Sequence, residues 1–411
     1  MRTFLGSVLR LALIAIVVIP HVAEAAAGRI IGGADGGLGG HVRTFTSRSL
    51  SNTASFFAYT PSFTGGVRVA AGDINGDGAA DIITGSGPGA AHVKAFSGRD
   101  NSELRSFLAY GPSFSGGVFV AAGDVNGDGL ADIVTGTDAG AAPHVKVFDG
   151  RTGSELHSFF AYPATFNGGV SVAAGDINGD GTADIITGAG PGAGPHVKVF
   201  SGASGAEIRS FFAYDASFAG GVFVASGDIN GDGSDDVITG SGAGARGHVK
   251  VFDGATGGLL HSFFAYAAGF NGGVRVASGD VDGDGRAEIV MSPGKGTTPQ
   301  VQVFDARTTN EIANFLAYPP TFTNGVFIAA ASVKGPKLEI RVDRANQEMI
   351  ELQWPSACVC ELEGNPDATD PRGWSVLEVR PVENGNRLGM LLPAVQKVRA
   401  FRLICDMEAV R

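Results

Sequence analysis

The sequence predicts an all-β fold: a six-bladed β-propeller of four-stranded blades, closed by its N- and C-terminal strands, followed by a small β-sandwich. Three periodic signals predict it. The motif Phe-(Phe/Leu)-Ala-Tyr ends at Tyr59, Tyr110, Tyr162, Tyr214, Tyr266 and Tyr318, at spacings of 51, 52, 52, 52 and 52 residues. An acidic pattern begins at Asp73, Asp124, Asp176, Asp228 and Asp280 with the same period. His-Val-Lys-Val-Phe and its variants begin at His41, His92, His144, His196, His248 and Gln300.

Residues 1–25 read as a secretory signal peptide. Arg2 and Arg10 give the positive end, and Leu11 to Ile19 form an apolar stretch about half the ~20 residues of a membrane span. Ala23-Glu24-Ala25 fits a small-x-small cleavage site. The expectation is a secreted or periplasmic chain with no membrane span after cleavage.

The propeller is expected over 29–335. A typical repeat gives four strands: Val67–Ala71, Asp81–Thr84, His92–Phe96 and Glu103–Tyr110. Each is rich in β-branched or aromatic residues and bounded by Gly, Asp, Asn or Ser. At the N-terminus, Arg29–Ala34, His41–Phe45 and Ser55–Tyr59 match the second to fourth strands of a unit. Their missing first strand recurs at Gly325–Ala330. These four are expected to complete one shared blade, which removes the open sheet edges of a linear array.

Beyond residue 336 the repeat stops and glycine becomes scarce. Strand-like runs follow at Leu338–Val342, Met349–Trp354, Cys358–Leu362, Trp374–Val379 and Ala400–Cys405, with a turn signal at Asn384-Gly385. In extended strands, Cys405 shares a face with Leu403, and Cys358 and Cys360 share one with Leu362. One disulfide from Cys405 to Cys358 or Cys360, or three buried thiols, are both compatible with this pattern.

Composition narrows the function. Gly is abundant (64 of 411) but follows no G-X-Y period, and 44% hydrophobic residues exclude a disordered chain. A formal net charge of -11 argues against nucleic-acid partners. Three Cys are too few for a disulfide scaffold.

The chemistry sits in five acidic loops. The first runs from Asp73 through Asn75, Asp77 and Ala79 to Asp81. Oxygen side chains at positions one, three, five and nine, with glycine at six, suit a hard cation that takes six to eight oxygens. Position seven offers its backbone carbonyl, so its side chain varies: Ala79, Leu130, Thr182, Ser234 and Arg286. The remaining sets are Asp124, Asn126, Asp128 and Asp132; Asp176, Asn178, Asp180 and Asp184; Asp228, Asn230, Asp232 and Asp236; and Asp280, Asp282, Asp284 and Glu288. The expectation is about five Ca²⁺ ions. The fifth loop departs most, with Glu288 for Asp and an extra charge at Asp282, and is the one most prone to keep the turn but lose affinity. Ala331-Ser332-Val333-Lys334 replaces the loop in the shared blade.

Asp-x-Asn-Gly-Asp-Gly-x-x-Asp between a Val-Ala-x-Gly strand and an Ile-Ile-Thr-Gly strand resembles the FG-GAP/VCBS repeat of integrin-α-type propellers. The resemblance covers about 29–335 and implies calcium ligation by the residues just named. Integrin propellers have seven blades, whereas this count gives six. The family's Phe-Gly is Gly65-Gly66 here, and its Gly-Ala-Pro is Gly85-Ser86-Gly87. In the tail, Leu352-Gln-Trp354-Pro355, Trp374-Ser-Val376 and Phe401-Arg-Leu403 are similar to a fibronectin-III-like domain of secreted planctomycete-type proteins.

No Gly-x-Ser-x-Gly or His-Glu-x-x-His motif is present, and the repeated carboxylates are committed to metal. Strand alternation puts the acidic loops on one face of the disc. The other carries the Tyr series, the following Phe63, Phe114, Phe166, Phe218, Phe270 and Phe322, and the His series. Packing between blades accounts for Tyr and Phe, and strand capping for His; a ligand ring is the sharper alternative. The expected function is a non-enzymatic binding or adhesion module for a protein or carbohydrate ligand at a cell surface or matrix. The alternative is a polysaccharide-active enzyme, a lyase or glycosidase, on a calcium-stabilised propeller.

Overall fold

The computed structural model describes residues 28–282 and 285–332, then strand residues 339–342, 349–355, 359–365, 375–376, 382–384, 387–393 and 400–406. The described residues are all strand and turn. No helix among them is long and apolar enough to cross a membrane. The expected signal peptide, Cys358, Trp374 and Asp284 lie outside the described residues. The chain divides into two compact units, one of them Ala27–Val333.

That unit is a six-bladed propeller of four-stranded antiparallel sheets. Five blades are continuous in sequence, spanning 67–108, 118–160, 170–212, 222–264 and 274–316, here the first to fifth complete blades. The closing blade joins Arg29–Ala34, His41–Thr46 and Asn52–Phe57 to Val326–Ala331. Arg29 faces Ala331 and Ala34 faces Val326 across that junction. The sharing of one blade by the two ends is therefore as the repeat arithmetic predicts.

Two details differ from the sequence reading. The outermost strand of the closing blade starts at Asn52, and each outermost strand stops before the Ala-Tyr of its motif. The reason is local: Ala109 N–H donates to Ala91 O (3.0 Å), which turns the chain so that Tyr110 enters the next blade. The Tyr110 hydroxyl donates to His144 O at 2.7 Å. Tyr162, Tyr214 and Tyr59 repeat that bond to His196, His248 and His92, each at 2.7 Å. Tyr318 repeats it across the closure, to His41 O at 2.7 Å. Tyr and its following Phe therefore pack between and within blades, in line with the packing expected from the sequence.

Apolar residues on both sheet faces fill the space between blades. Phe107 meets Phe148 with centroids 4.9 Å apart, and Phe315 meets Phe45 across the closure at 4.7 Å. The blades also approach closely. A Cβ on Gly85 would lie 2.3 Å from Val118 O of the next blade's innermost strand, so glycine is required there.

The other unit contains two antiparallel sheets. One has the order Glu339–Val342, Met349–Pro355, Arg387–Pro393, Val382–Asn384, and the other Ser375–Val376, Val359–Asn365, Ala400–Asp406. The strands 382–384 and 387–393 were not read from sequence, although the Asn384-Gly385 turn signal stands between them. Their pairing ends at Asn384 opposite Arg387. Cys360 stands opposite Cys405 in register.

Candidate metal centre

Each acidic loop joins the innermost strand of a complete blade to the second strand. In the first blade Gly72 pairs with Asp81, so position nine is already part of the sheet. The residue at position two is apolar and buried: Ile74, Val125, Ile177, Ile229 and Val281 are 4% exposed or less. The loop is thus pinned at both ends, and only its acidic arc faces solvent. Gly78 at position six has φ of +85°, and Gly129, Gly181, Gly233 and Gly285 lie between +88° and +93°. A side chain there is strained by the left-handed backbone.

Hydrogen bonds hold the carboxylates in their places. Asp73 accepts from Gly76 N (2.7 Å) and Gly78 N (2.9 Å), and Asn75 Oδ1 accepts from Asp77 N (2.8 Å). Asp124 and Asp228 accept from the equivalent glycines. The carboxylate at position nine is buried: Asp81, Asp184 and Asp236 are 0% exposed, Asp132 and Glu288 1%. Asp132 accepts from Val125 N (2.9 Å), Asn126 N (3.1 Å) and Gly150 N (3.0 Å). Position nine therefore ties the loop to the turn between the third and fourth strands, a structural task beyond the predicted one.

Burial raises the proton affinity of these groups. Asp132, Asp184 and Asp236 are each pushed up to about 6, against the pull of their backbone N–H donors. Asp81 is raised by burial and further by Asp77 and Asp73. A group held this way gains from a nearby cation.

The five loops are chained. Ala131 N donates to Asp73 O (2.8 Å), Ala183 N to Asp124 O (2.7 Å), Asp235 N to Asp176 O (2.7 Å) and Ala287 N to Asp228 O (3.0 Å). Position eight of the second to fifth loops thus bonds position one of the loop before. Asp280 N donates to Ser332 Oγ of the closing blade at 2.9 Å. Side chains at position seven lie against the preceding loop: a Cβ on Gly76 would meet Leu130 at 3.1 Å, and one on Gly231 would meet Arg286 at 2.7 Å. Arg286 also donates to Asn230 O. Position seven was expected to be indifferent, but its side chain joins neighbouring loops.

Asp280, Asp282 and Glu288 can place three ligand oxygens within 4.8 Å of one another, the one such group of three among the described residues. This is the loop that the sequence reading ranked weakest. The longer Glu288 and the third carboxylate, Asp282, bring the charges together. In the other loops Asn occupies position three, so the oxygen set there includes an amide. The donor chemistry fits a hard cation: each carboxylate has about four acceptor sites, of which the backbone bonds in Asp73 use two.

Three acidic residues beside the loops were missed. Asp149 and Asp253, between third and fourth strands, accept from Asn126 Nδ2 (3.3 Å) and Asn230 Nδ2 (3.2 Å). Asp235, at position eight, accepts from Asp176 N (3.1 Å) and is pushed up to about 6, mainly by burial. The signal was available: Asp149 and Asp253 recur in an Asp-Gly-x-Thr-Gly turn two blades apart.

On the opposite face the His series bonds outward. His196 Nε2 pairs with Ser210 Oγ at 2.7 Å and its ring stacks on Phe212 (4.8 Å). Phe57, Leu108, Phe160, Phe212, Phe264 and Leu316 form an exposed outer series, 44–52% exposed. The sequence pattern had assigned the Tyr and Phe63 series to packing between blades and did not single out this outer series.

A family model described as an FG-GAP-like repeat matches residues 124–187 and 220–291. Another, described as an FG-GAP repeat, matches 65–99. Integrin alpha-V of Gallus gallus is 37% identical over 75 residues, which is 18% of this chain and 7% of that protein. The chain spans only a small part of the length of that relative. The propeller carries FG-GAP repeats and is integrin-like in that respect.

Proposed function

We propose that the chain is an exported, calcium-stabilised propeller that binds a protein or surface-glycan ligand and does not catalyse. The observation that carries this reading is the chain of acidic loops, five in register and hydrogen-bonded one to the next. Similarity to an integrin alpha chain supports a binding module rather than an enzyme. In each loop, positions one, three, five and nine supply side-chain oxygens and position seven its carbonyl. A bound Ca²⁺ supplies positive charge and fixed geometry there. Five such ions bring ten positive charges to a chain of formal net charge -11. Residues 1–25 act as the export signal, and 336–411 form a fibronectin-III-like domain.

Extracellular sites of this loop type bind at ~10⁻⁴–10⁻³ M. At hundredfold excess each site adds up to ~2.7 kcal/mol by mass action. Scanning calorimetry in Ca²⁺ and in EGTA is expected to show a large, reversible fall in melting temperature on chelation. An unchanged melting curve removes calcium from the proposal. A glycan array beside a polysaccharide-cleavage assay tests the rest. Turnover abolished by one substitution outside the acidic loops reverses the reading in favour of an enzyme.

A further inference from the structure

The propeller axis is where the six-fold repetition breaks. The second residue of each innermost strand points the comparison: Phe327, Arg68, Phe119, Ser171, Phe223 and Arg275, in order round the ring. The three Phe rings meet one another, Phe119 lying 6.3 Å from Phe223 and 6.0 Å from Phe327. The two guanidinium groups lie over them, Arg68 at 4.7 Å and Arg275 at 3.9 Å from the Phe327 centroid. Each Arg is paired with a carboxylate of the following blade, Arg68 with Asp138 and Arg275 with Asp35. Those Asp occur only after an Arg; the equivalent positions 87, 190, 242 and 294 are Gly.

Ser171 is the odd member. It is small where its neighbours are Phe, and its hydroxyl turns to backbone, donating to Val222 O at 2.7 Å. A cavity of about 530 Å³ opens on the face opposite the acidic loops, lined by all six ring residues, with Lys295 also in its wall. That volume is within the ~300–1,000 Å³ of small-molecule sites. Arg68 and Arg275 have side chains only 7% and 10% exposed, and each retains a buried Nε–H with no acceptor. Unsatisfied buried donors are costly and call for a partner. Three cations in the cavity wall face two carboxylates, so one further negative charge neutralises the site.

We propose that this axial cavity binds a small organic monoanion, a carboxylate on an apolar body, with the apolar part in the space left by Ser171 against the Phe rings and the carboxylate toward Arg68, Arg275 and Lys295. The site stands apart from the acidic loops and does not require the calcium reading.

The test is calorimetric titration of the full chain in Ca²⁺ with 2-naphthoate and with its neutral counterpart 2-naphthamide. Naphthoate is expected to bind at least about tenfold more tightly. Ser171→Phe restores the residue found in three sibling blades and fills the cavity; it is expected to lower naphthoate affinity at least about tenfold with no loss of melting temperature. Should that variant fail to fold, Lys295→Glu on the exposed loop decides, with an expected weakening of about fivefold or more. No measurable naphthoate binding at millimolar concentration, equal binding of acid and amide, or undiminished binding in the folded variant overturns the proposal.

Discussion

Asp132 carries more than its place in an acidic pattern suggests. It is buried, and it accepts three backbone N–H groups from two separate turns. Asp132→Ala leaves those donors without acceptors in a place water reaches poorly. The expected cost is about 3 kcal/mol, read as a lower urea midpoint in EGTA, where metal plays no part. An unchanged midpoint shows that the carboxylate serves only a cation. The His series gives a second prediction. Burial, aided by Lys198, holds the imidazole of His196 below its ordinary 6.5, with Glu207 opposing. A depressed folded value means stability is present above the unfolded value and lost as pH falls through the folded one. Melting temperature is therefore expected to fall between pH 7 and pH 5 in saturating Ca²⁺. His196→Gln, which copies the natural Gln300 of the fifth complete blade, should reduce that fall. An identical pH dependence in the variant excludes the imidazole as its source.

Between blades, the elements are joined by bonds that the motif spacing hinted at without defining. Tyr162 leaves the second complete blade and reaches two carbonyls of the third, Thr187 O at 3.1 Å and His196 O at 2.7 Å. Tyr162→Phe keeps the ring and removes the hydroxyl, so about 1 kcal/mol of stability should be lost. A denaturant titration with an unchanged slope would measure it. The acidic loops are coupled in the same direction round the ring. Ordering one loop positions the carbonyl that the next loop's N–H requires. Cation binding is therefore expected to be positively cooperative, and Asp176→Ala should weaken binding at the neighbouring loops as well as its own. Calorimetric isotherms that fit independent sites in both proteins contradict this coupling.

For the whole molecule, closure is the governing fact. The two ends of the propeller unit contribute three strands and one strand to a single blade. Deletion of residues 26–46 and deletion of 320–335 should destabilise the propeller to the same extent, since each strips partners from that blade. A truncation that leaves the melting transition in place excludes closure by strand sharing. The opposite result has a physical reason behind it: an unclosed ring exposes the edges of two neighbouring blades, including the contact of buried Phe45 with half-buried Phe315.

Period alone determined the architecture. A 52-residue repeat of alternating apolar strands, with Tyr and Asp at fixed places, admits few folds other than blades round an axis, and the missing first strand at one end matched the surplus strand at the other. The acidic loops were legible for the same reason, because each ligand type stands at a fixed offset from a strand end. Tertiary structure decided what lies between repeats. Position seven reads as free within one loop, yet Leu130 and Arg286 rest on the loop before. Asp149 and Asp253 look like ordinary turn residues until the third-to-fourth turn is folded beside the acidic loop. Above all, Arg68, Ser171 and Arg275 are unremarkable second residues of strands about 100 and 200 positions apart in the chain. Only closure of the ring brings them to one axis, where each residue's neighbour is the same position of the next blade.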